Sequence, residues 1–83
     1  MSIHILYNGS VYFIENNRPI SDIVENFIEE FDDDFSADSL LVYNKSLNIF
    51  YTYDVTGTGD YGCLPQELYP AAYELMGIER RTK

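Results

Sequence analysis

Cysteine and basic residues are the scarcest reactive groups in this sequence. The single cysteine, Cys63, excludes an internal disulfide and a cysteine-based zinc site. Only 5 Lys and Arg residues stand against 14 Asp and Glu residues, which gives a net charge of -9. Nucleic acids and anionic membranes carry the same sign of charge, so this composition disfavours both as direct ligands. A basic protein or a cation is the natural complement of such a chain.

Long apolar runs and a targeting pattern are also missing. No stretch approaches the roughly 18 to 20 apolar residues that a transmembrane helix needs. The first residues have neither the basic region nor the apolar core of a signal peptide. We therefore expect a soluble, cytoplasmic protein. The chain has 83 residues, of which 46% are hydrophobic, so it is too apolar for a disordered acidic tail. We expect residues 1–83 to fold as a single domain.

Four short runs rich in β-branched and aromatic residues predict two hairpins. Ile3 to Tyr7 and Val11 to Glu15 are separated by Asn8-Gly9-Ser10, and Asn-Gly accepts the positive φ of a tight turn. Leu40 to Tyr43 and Leu47 to Val55 predict the second pair of strands. Phe50 interrupts the alternation within the last run, which indicates that the second face of the sheet is also covered.

Two further segments have helical spacing. The first runs from Ser21, a candidate N-cap, to Phe31. Pro70 lies within the second, so we predict a short turn over 65–69 and a helix from about residue 70, which Gly77 ends. The predicted class is α+β: a hairpin, a helix, a hairpin and a short C-terminal helix, with a four-stranded, mainly antiparallel sheet packed on one amphipathic helix. The apolar stripe of that helix is Ile20, Ile23, Val24, Phe27, Ile28 and Phe31.

This order of elements resembles the β-grasp, or ubiquitin-like, arrangement. The resemblance lies in the opening hairpin, the helix Ser21 to Phe31 and the stretch Leu40-Leu41-Val42-Tyr43-Asn44-Lys45-Ser46-Leu47. It implies binding through a sheet face and no catalysis. In that fold Tyr73 to Arg80 would be the closing strand, whereas the spacing here is helical, and the terminal Gly-Gly is missing.

Two patterns resemble functional motifs but lack features that the corresponding chemistry requires. Gly57 to Gly62 matches the glycines of a dinucleotide-binding loop, but Asp60 would repel the phosphate, and 21 following residues leave too little room for the return strand. We interpret it as a flexible connection or a bulged turn. His4 and Cys63 are the only candidates for a thiol and imidazole pair, and nothing in their spacing supports one. We interpret His4 as a solvent-facing or satisfied strand residue and Cys63 as a small apolar one.

The aspartates at 32–34 and Asp38 suggest a cation site. A calcium loop that began at Asp32 would need Gly at position 37 and Glu at position 43, where the sequence has Ala37 and Tyr43. A looser Ca²⁺ or Mg²⁺ site stays open. We predict no catalytic residues, no cofactor and no metal.

The acidic residues between positions 22 and 38 are the strongest functional signal. No Lys or Arg interrupts them, so no base at i+4 stabilises the helix. Several fall at the helix C-terminus, where the helix dipole disfavours negative charge. Such violations of local rules are typical of functional sites. We expect the carboxylates to project away from the apolar stripe and Asp32 and Asp33 to extend the same helix face. The predicted partner-binding residues are Asp22, Glu25, Glu29, Glu30, Asp32, Asp33, Asp34 and Asp38.

These observations predict a non-enzymatic acidic binding protein. It would dock on a basic, nucleic-acid-binding or nucleic-acid-processing protein and inhibit it by mimicking the charge of nucleic acid. In size and charge the chain resembles small acidic phage-type inhibitors of restriction, CRISPR or host enzymes. The alternative is a β-grasp interaction adaptor that binds through a sheet face, with an acidic helix that only keeps the protein soluble. The sequence leaves the oligomeric state open.

Overall fold

The computed structural model describes residues 1–56 and 61–78, which form an α+β domain with two helices and a five-stranded antiparallel sheet. The strand order is β2-β1-β3-β4-β5. Short 3-10 turns lie at Asp32–Asp34 and Gln66–Leu68. The elements are β1 (Ser2–Tyr7), β2 (Ser10–Glu15), α1 (Ile20–Phe31), β3 (Ser39–Asn44), β4 (Ile49–Asp54), β5 (Tyr61–Cys63) and α2 (Tyr69–Met76).

The α+β class, both hairpins and both helices are confirmed, but the prediction of four strands is wrong. β5 lies in the region that we interpreted as a glycine-rich connection, and it pairs with β4 through Tyr61 opposite Tyr53 and Cys63 opposite Tyr51. A strand of three residues with Gly62 at its centre is too short to show alternation. No local sequence pattern therefore predicts that β5 pairs with β4. Residues 57–60, the rest of the predicted connection, lie outside the described residues.

The start of α1 also differs from the prediction. Pro19 is extended, with φ -57° and ψ 153°, and its carbonyl accepts a hydrogen bond of 3.1 Å from the Ile23 N–H. Ser21 is therefore inside the helix and is not its N-cap. The reason is that proline fixes φ just before the helix and its carbonyl is already the first acceptor, so the helix begins at Ile20.

Helices cover both faces of the sheet: α1 is the predicted amphipathic helix, and α2 is the cover on the second face that Phe50 indicated. Against the first face, α1 packs Ile23, Val24 and Phe27 on buried residues of β1 and β3 such as Ile5 and Val42. Against the second face, α2 packs Ala72, Tyr73 and Met76 on Tyr43 and Phe50. Burial under α2 explains why Phe50 interrupts the alternation of β4, as the sequence indicated.

The C-terminal segment is helical through Met76. Tyr73 to Met76 therefore belong to α2 and not to a closing strand, and β3 is the neighbour of β1. Gly77 ends the helix in the left-handed region, with φ 65°, as its position predicted. In the part of the chain that the structure describes, no helix is long and apolar enough to cross a membrane.

Asn48 connects the second hairpin to α2. Its Oδ1 accepts hydrogen bonds from the hydroxyls of Tyr43, at 2.6 Å, and Tyr73, at 2.7 Å. The backbone at Asn48 is left-handed, with φ 56°, a conformation that Asn tolerates better than most residues. A nearby bond of 3.1 Å runs from the Phe50 N–H to the Tyr69 hydroxyl. One turn residue therefore satisfies two tyrosines that are buried between α2 and the sheet.

Candidate functional site

All eight predicted partner-binding carboxylates are exposed. Four lie on α1, three form the 3-10 turn that follows it, and one precedes β3. We call residues 22–38 the acidic segment. No Lys or Arg occurs within it, and among the described residues none of its carboxylates forms an ion pair. The segment therefore presents its charge to solvent without neutralisation. The eight are Asp22, Glu25, Glu29, Glu30, Asp32, Asp33, Asp34 and Asp38.

The acidic segment turns sharply at Asp32. This residue has φ 53° and ψ -128°, and its N–H donates to the Glu29 carbonyl at the end of α1. The expectation that Asp32 and Asp33 extend the helix face is therefore wrong, because positive φ at Asp32 ends the helix. For a non-glycine residue such backbone conformations cost about 1 to 3 kcal/mol and cluster at functional sites. The aspartates form a separate projection after the helix.

Replacing Asp32 by Gly should stabilise the protein. Glycine adopts positive φ without a steric penalty, and the change also removes a negative charge from a helix C-terminus. We expect the free energy of unfolding, measured by urea denaturation, to rise by about 1 kcal/mol. Asp32→Asn removes the same charge and keeps the side chain, so it should account for only part of the gain. An Asp32→Gly variant no more stable than Asp32→Asn would show that the backbone at this position is not strained.

An aromatic cluster fixes the acidic segment to the sheet. The rings of Tyr7 and Phe35 stack with centroids 4.7 Å apart, and Phe31 lies 4.9 Å from Tyr7 and 5.0 Å from Phe27. The apolar stripe predicted that Phe27 and Phe31 pack toward the sheet, and the structure confirms it. The Tyr7 hydroxyl accepts a 3.0 Å bond from the Ser36 N–H and lies 3.5 Å from the Asp34 carbonyl, to which it donates.

Tyr7 is a positioning residue that the sequence pattern did not predict. It is buried at 6% exposure and holds the backbone on both sides of the phenylalanine that follows the aspartates. One signal was available: the other inward-facing residues of β1 are Ile3 and Ile5, whereas a buried tyrosine needs a partner for its hydroxyl. Which backbone groups supply that partner depends on the tertiary fold.

A groove of about 710 Å³ runs between β2 and α1. Its volume lies within the range of about 300 to 1,000 Å³ that is common for binding pockets. The groove combines an apolar floor with two carboxylates of the acidic segment. No pattern in the sequence predicts this groove, because it depends on the position of β2 at the edge of the sheet. Its lining includes Tyr12 and Ile14 of β2 and Phe27, Glu29, Glu30 and Phe31 of α1.

The other candidates from the sequence are not assembled into sites. His4 on β1 and Cys63 on β5 are three strand spacings apart, about 14 Å, so they do not contact each other. Cys63 is exposed and does not pack as a small apolar residue. Over residues 1–56 and 61–78, no group of three or more His, Cys, Asp or Glu side chains is arranged to hold a metal ion.

His4 lies on the sheet face opposite α1, between the rings of Phe13 and Tyr43, with centroids at 5.1 and 5.7 Å. Its Nε2 is buried, and within the described residues it has no hydrogen-bond partner. The expectation that His4 is satisfied at a sheet edge is wrong, because β1 lies between β2 and β3, and each of these strands places an aromatic ring beside the imidazole. Burial, and then the positive charge of Lys45, lower the pKa of His4 from its usual value of 6.5.

The lowered pKa of His4 predicts a pH dependence of stability. The folded protein favours the neutral imidazole, so below about pH 6.5 the unfolded chain binds more protons than the folded one. This contribution is fully present above about pH 6.5 and is lost as the pH falls through the folded pKa. We expect wild type to lose stability relative to His4→Gln between about pH 7 and pH 5 in urea denaturation. A constant difference between the two proteins over this range would contradict the assignment. Both proteins contain the same carboxylates, so the effect of carboxylate protonation on stability cancels in the difference.

Comparisons with known proteins give no relative: the chain matches no family model, no curated protein and no solved structure.

Proposed function

We propose that this protein is a non-enzymatic inhibitor that uses its acidic segment to dock on a basic, nucleic-acid-binding protein. The observation that carries the proposal is the set of eight exposed carboxylates between Asp22 and Asp38, which no base interrupts. An arrangement that only served solubility would tolerate interspersed Lys and Arg. The setting that such a protein suits best is phage-type inhibition of restriction, CRISPR or host nucleic-acid enzymes.

The mechanism is competition for a phosphate-binding surface. Along α1, carboxylates three or four residues apart are separated by about 4.5 to 6 Å along the axis, a spacing similar to that of successive phosphates in a nucleic acid strand. Lys and Arg side chains that normally contact phosphates would pair with these groups instead. The field of the net charge of -9 would also accelerate the encounter with a basic partner.

The aromatic cluster supports this mechanism in a second way. Because Phe31, Phe35 and Tyr7 hold the acidic segment against the sheet, the carboxylates are carried on an ordered backbone. A partner then loses less free energy in ordering them than it would with a disordered acidic tail. Tyr12, which is 37% exposed and contacts Phe31, offers apolar area next to the charges.

The test is affinity capture followed by competition with nucleic acid. The wild-type protein is immobilised, exposed to a lysate of its native host, and washed with duplex DNA or with RNA. We expect the captured protein to bind nucleic acid on its own and to be released by one of these competitors. Asp33→Asn with Asp34→Asn serves as the matched bait and should capture less. A partner that stays bound under saturating nucleic acid would contradict competition.

A second candidate function is an interaction adaptor that binds through a sheet face. The observation in its favour is an apolar patch on the face opposite α1, where Val11 is 39% and Phe13 58% exposed. In this case neutralising the acidic segment would barely change partner binding, whereas Phe13→Ala would weaken it. The same captured partner therefore distinguishes the two functions.

A further inference from the structure

The free side of β2 is an open template for another strand. β2 is the first strand in the sheet order, so of the described strands only β1 pairs with it. The Asn16 N–H donates to the Met1 carbonyl at 3.0 Å, and these two residues continue the β1 to β2 register. Bonded and non-bonded positions alternate in an antiparallel pair. The residues of β2 whose backbone N–H and C=O point away from β1 are therefore Val11, Phe13 and Glu15.

This edge has little of the usual protection against pairing, because its one charged residue, Glu15, lies at the end of the strand. Exposed edge strands in natural proteins commonly carry Lys or Pro, or are very short. β2 contains neither Lys nor Pro over its six residues, whereas β5, at the other edge, has three residues. β2 therefore offers a full strand length of about 20 Å for pairing.

A strand that paired with the free edge of β2 would direct every second side chain to the α1 side of the sheet, where the groove lies. Tyr12 and Ile14 point to the α1 side of the sheet, and they line the groove together with Phe27 and Phe31. Val11 and Phe13 point to the opposite side, where both are exposed. Because side chains alternate along a strand, an added strand would present one set to the groove and the other to this apolar patch.

The charge of the groove indicates which side chains of an added strand would fit into it. Glu29 and Glu30 are exposed on α1 and line the groove together with the aromatic rings of Phe27 and Phe31. Lys and Arg suit such a site, because their aliphatic stems pack on apolar surface while their charged ends reach carboxylates. A second copy of this chain does not suit it, because its own β2 contains no base and each copy has a net charge of -9.

We propose that the groove between β2 and α1 binds an extended segment of the partner by strand addition. In this segment Lys or Arg alternates with apolar residues. Recognition of this kind draws affinity from main-chain hydrogen bonds and specificity from alternate side chains. The inference rests on the proposed function only for the positive charge of the partner. Beyond that function, it specifies that the recognised segment is extended and that its basic and apolar residues alternate.

The probe is a peptide of about eight residues that alternates Arg and Val, long enough to span β2. Two N-methylated versions carry the methyl groups either on all Arg or on all Val residues. In a strand, every second residue directs its N–H to the same edge, so only one version retains the hydrogen bonds to β2. We expect one version to bind about tenfold or more weakly than the other in fluorescence anisotropy. Equal affinity of the two versions would overturn the proposal.

The protein supplies a second readout that needs no variant. Binding of the unmodified peptide should slow hydrogen exchange at the Val11 and Phe13 amides, because strand addition converts them from solvated to hydrogen-bonded groups. Unchanged exchange at both amides would also overturn strand addition. Hydrogen exchange of the free protein tests whether a second copy of the chain pairs with β2 instead. If protection of these amides grows with protein concentration and the peptide has no effect, β2 mediates self-association and the proposal is wrong.

Two comparisons separate this inference from the proposed function. A peptide of the same composition with all Arg residues before all Val residues keeps the charge and loses the alternation; it should bind about tenfold or more weakly. If it binds equally, docking by charge survives and the groove inference fails. If neither peptide binds, the groove inference fails, whereas the proposed function is decided by the captured partner. Glu29→Gln with Glu30→Gln should weaken the alternating peptide more than Glu67→Gln with Glu74→Gln, an equal change of charge outside the groove.

Discussion

Replacing Asp32, Asp33 and Asp34 together by Asn should abolish partner binding, with an expected loss of affinity of about a hundredfold or more. Each aspartate that contacts a Lys or Arg contributes about 1.5 kcal/mol or more as a charge-assisted hydrogen bond, so two such contacts already account for that factor. The three side chains are exposed, and the substitution preserves their size. The affinity for the captured partner is measured by surface plasmon resonance, and circular dichroism checks that the variant remains folded.

A pair of matched variants shows whether the position of the charge matters. Asp33→Asn with Asp34→Asn and Glu67→Gln with Glu74→Gln each remove two exposed carboxylates, the first pair from the acidic segment and the second from the region of α2. The first pair should reduce affinity strongly and the second only slightly. Equal losses would assign binding to net charge alone. An unchanged affinity in the triple variant would contradict the proposed function and favour the adaptor.

We expect Asn48→Ala to lower the free energy of unfolding by about 3 kcal/mol. The left-handed backbone at Asn48 costs an alanine about 1 kcal/mol or more, and the hydroxyls of Tyr43 and Tyr73 each lose an acceptor, at about 1 kcal/mol each. For a chain of 83 residues, total stability is expected at about 4 to 12 kcal/mol, so the loss is a large fraction. Urea denaturation followed by circular dichroism measures it.

Two further substitutions at the same position separate the causes. Asn48→Gly accepts the positive φ and removes the acceptor, so it should lose about 1 kcal/mol less than Asn48→Ala. Asn48→Asp keeps an oxygen acceptor and tolerates the left-handed region, so it should be the mildest of the three. A loss below about 1 kcal/mol in Asn48→Ala would contradict the hydrogen bonds between the turn and α2.

The elements that could be predicted from the sequence are those with a local cause. The turn of the first hairpin follows from Asn8-Gly9, and both residues adopt positive φ, at 55° and 80°. The helix α1 follows from its apolar stripe, which packs against the sheet as expected. The unexpected Phe50 in β4 correctly indicated cover on the second face. In each case, neighbouring residues contain the information.

The features that could not be predicted depend on contacts between distant residues. β5 exists because it pairs with β4, and the groove exists because β2 is at the edge of the sheet beside α1. The composition identified the acidic segment, but not the turn at Asp32 or its attachment through the Tyr7 hydroxyl. The sequence thus indicated which residues carry the charge, and the tertiary fold determines how they are presented.

The most direct test of the central claim is the salt dependence of partner binding. The affinity and association rate for the captured partner are measured as NaCl is raised from about 0.1 M to about 0.5 M, which shortens the screening length from about 10 Å to about 4 Å. If the acidic segment stands in for phosphates, both should fall steeply, by about a hundredfold in affinity. An affinity and an association rate that stay unchanged at about 0.5 M salt would contradict charge mimicry.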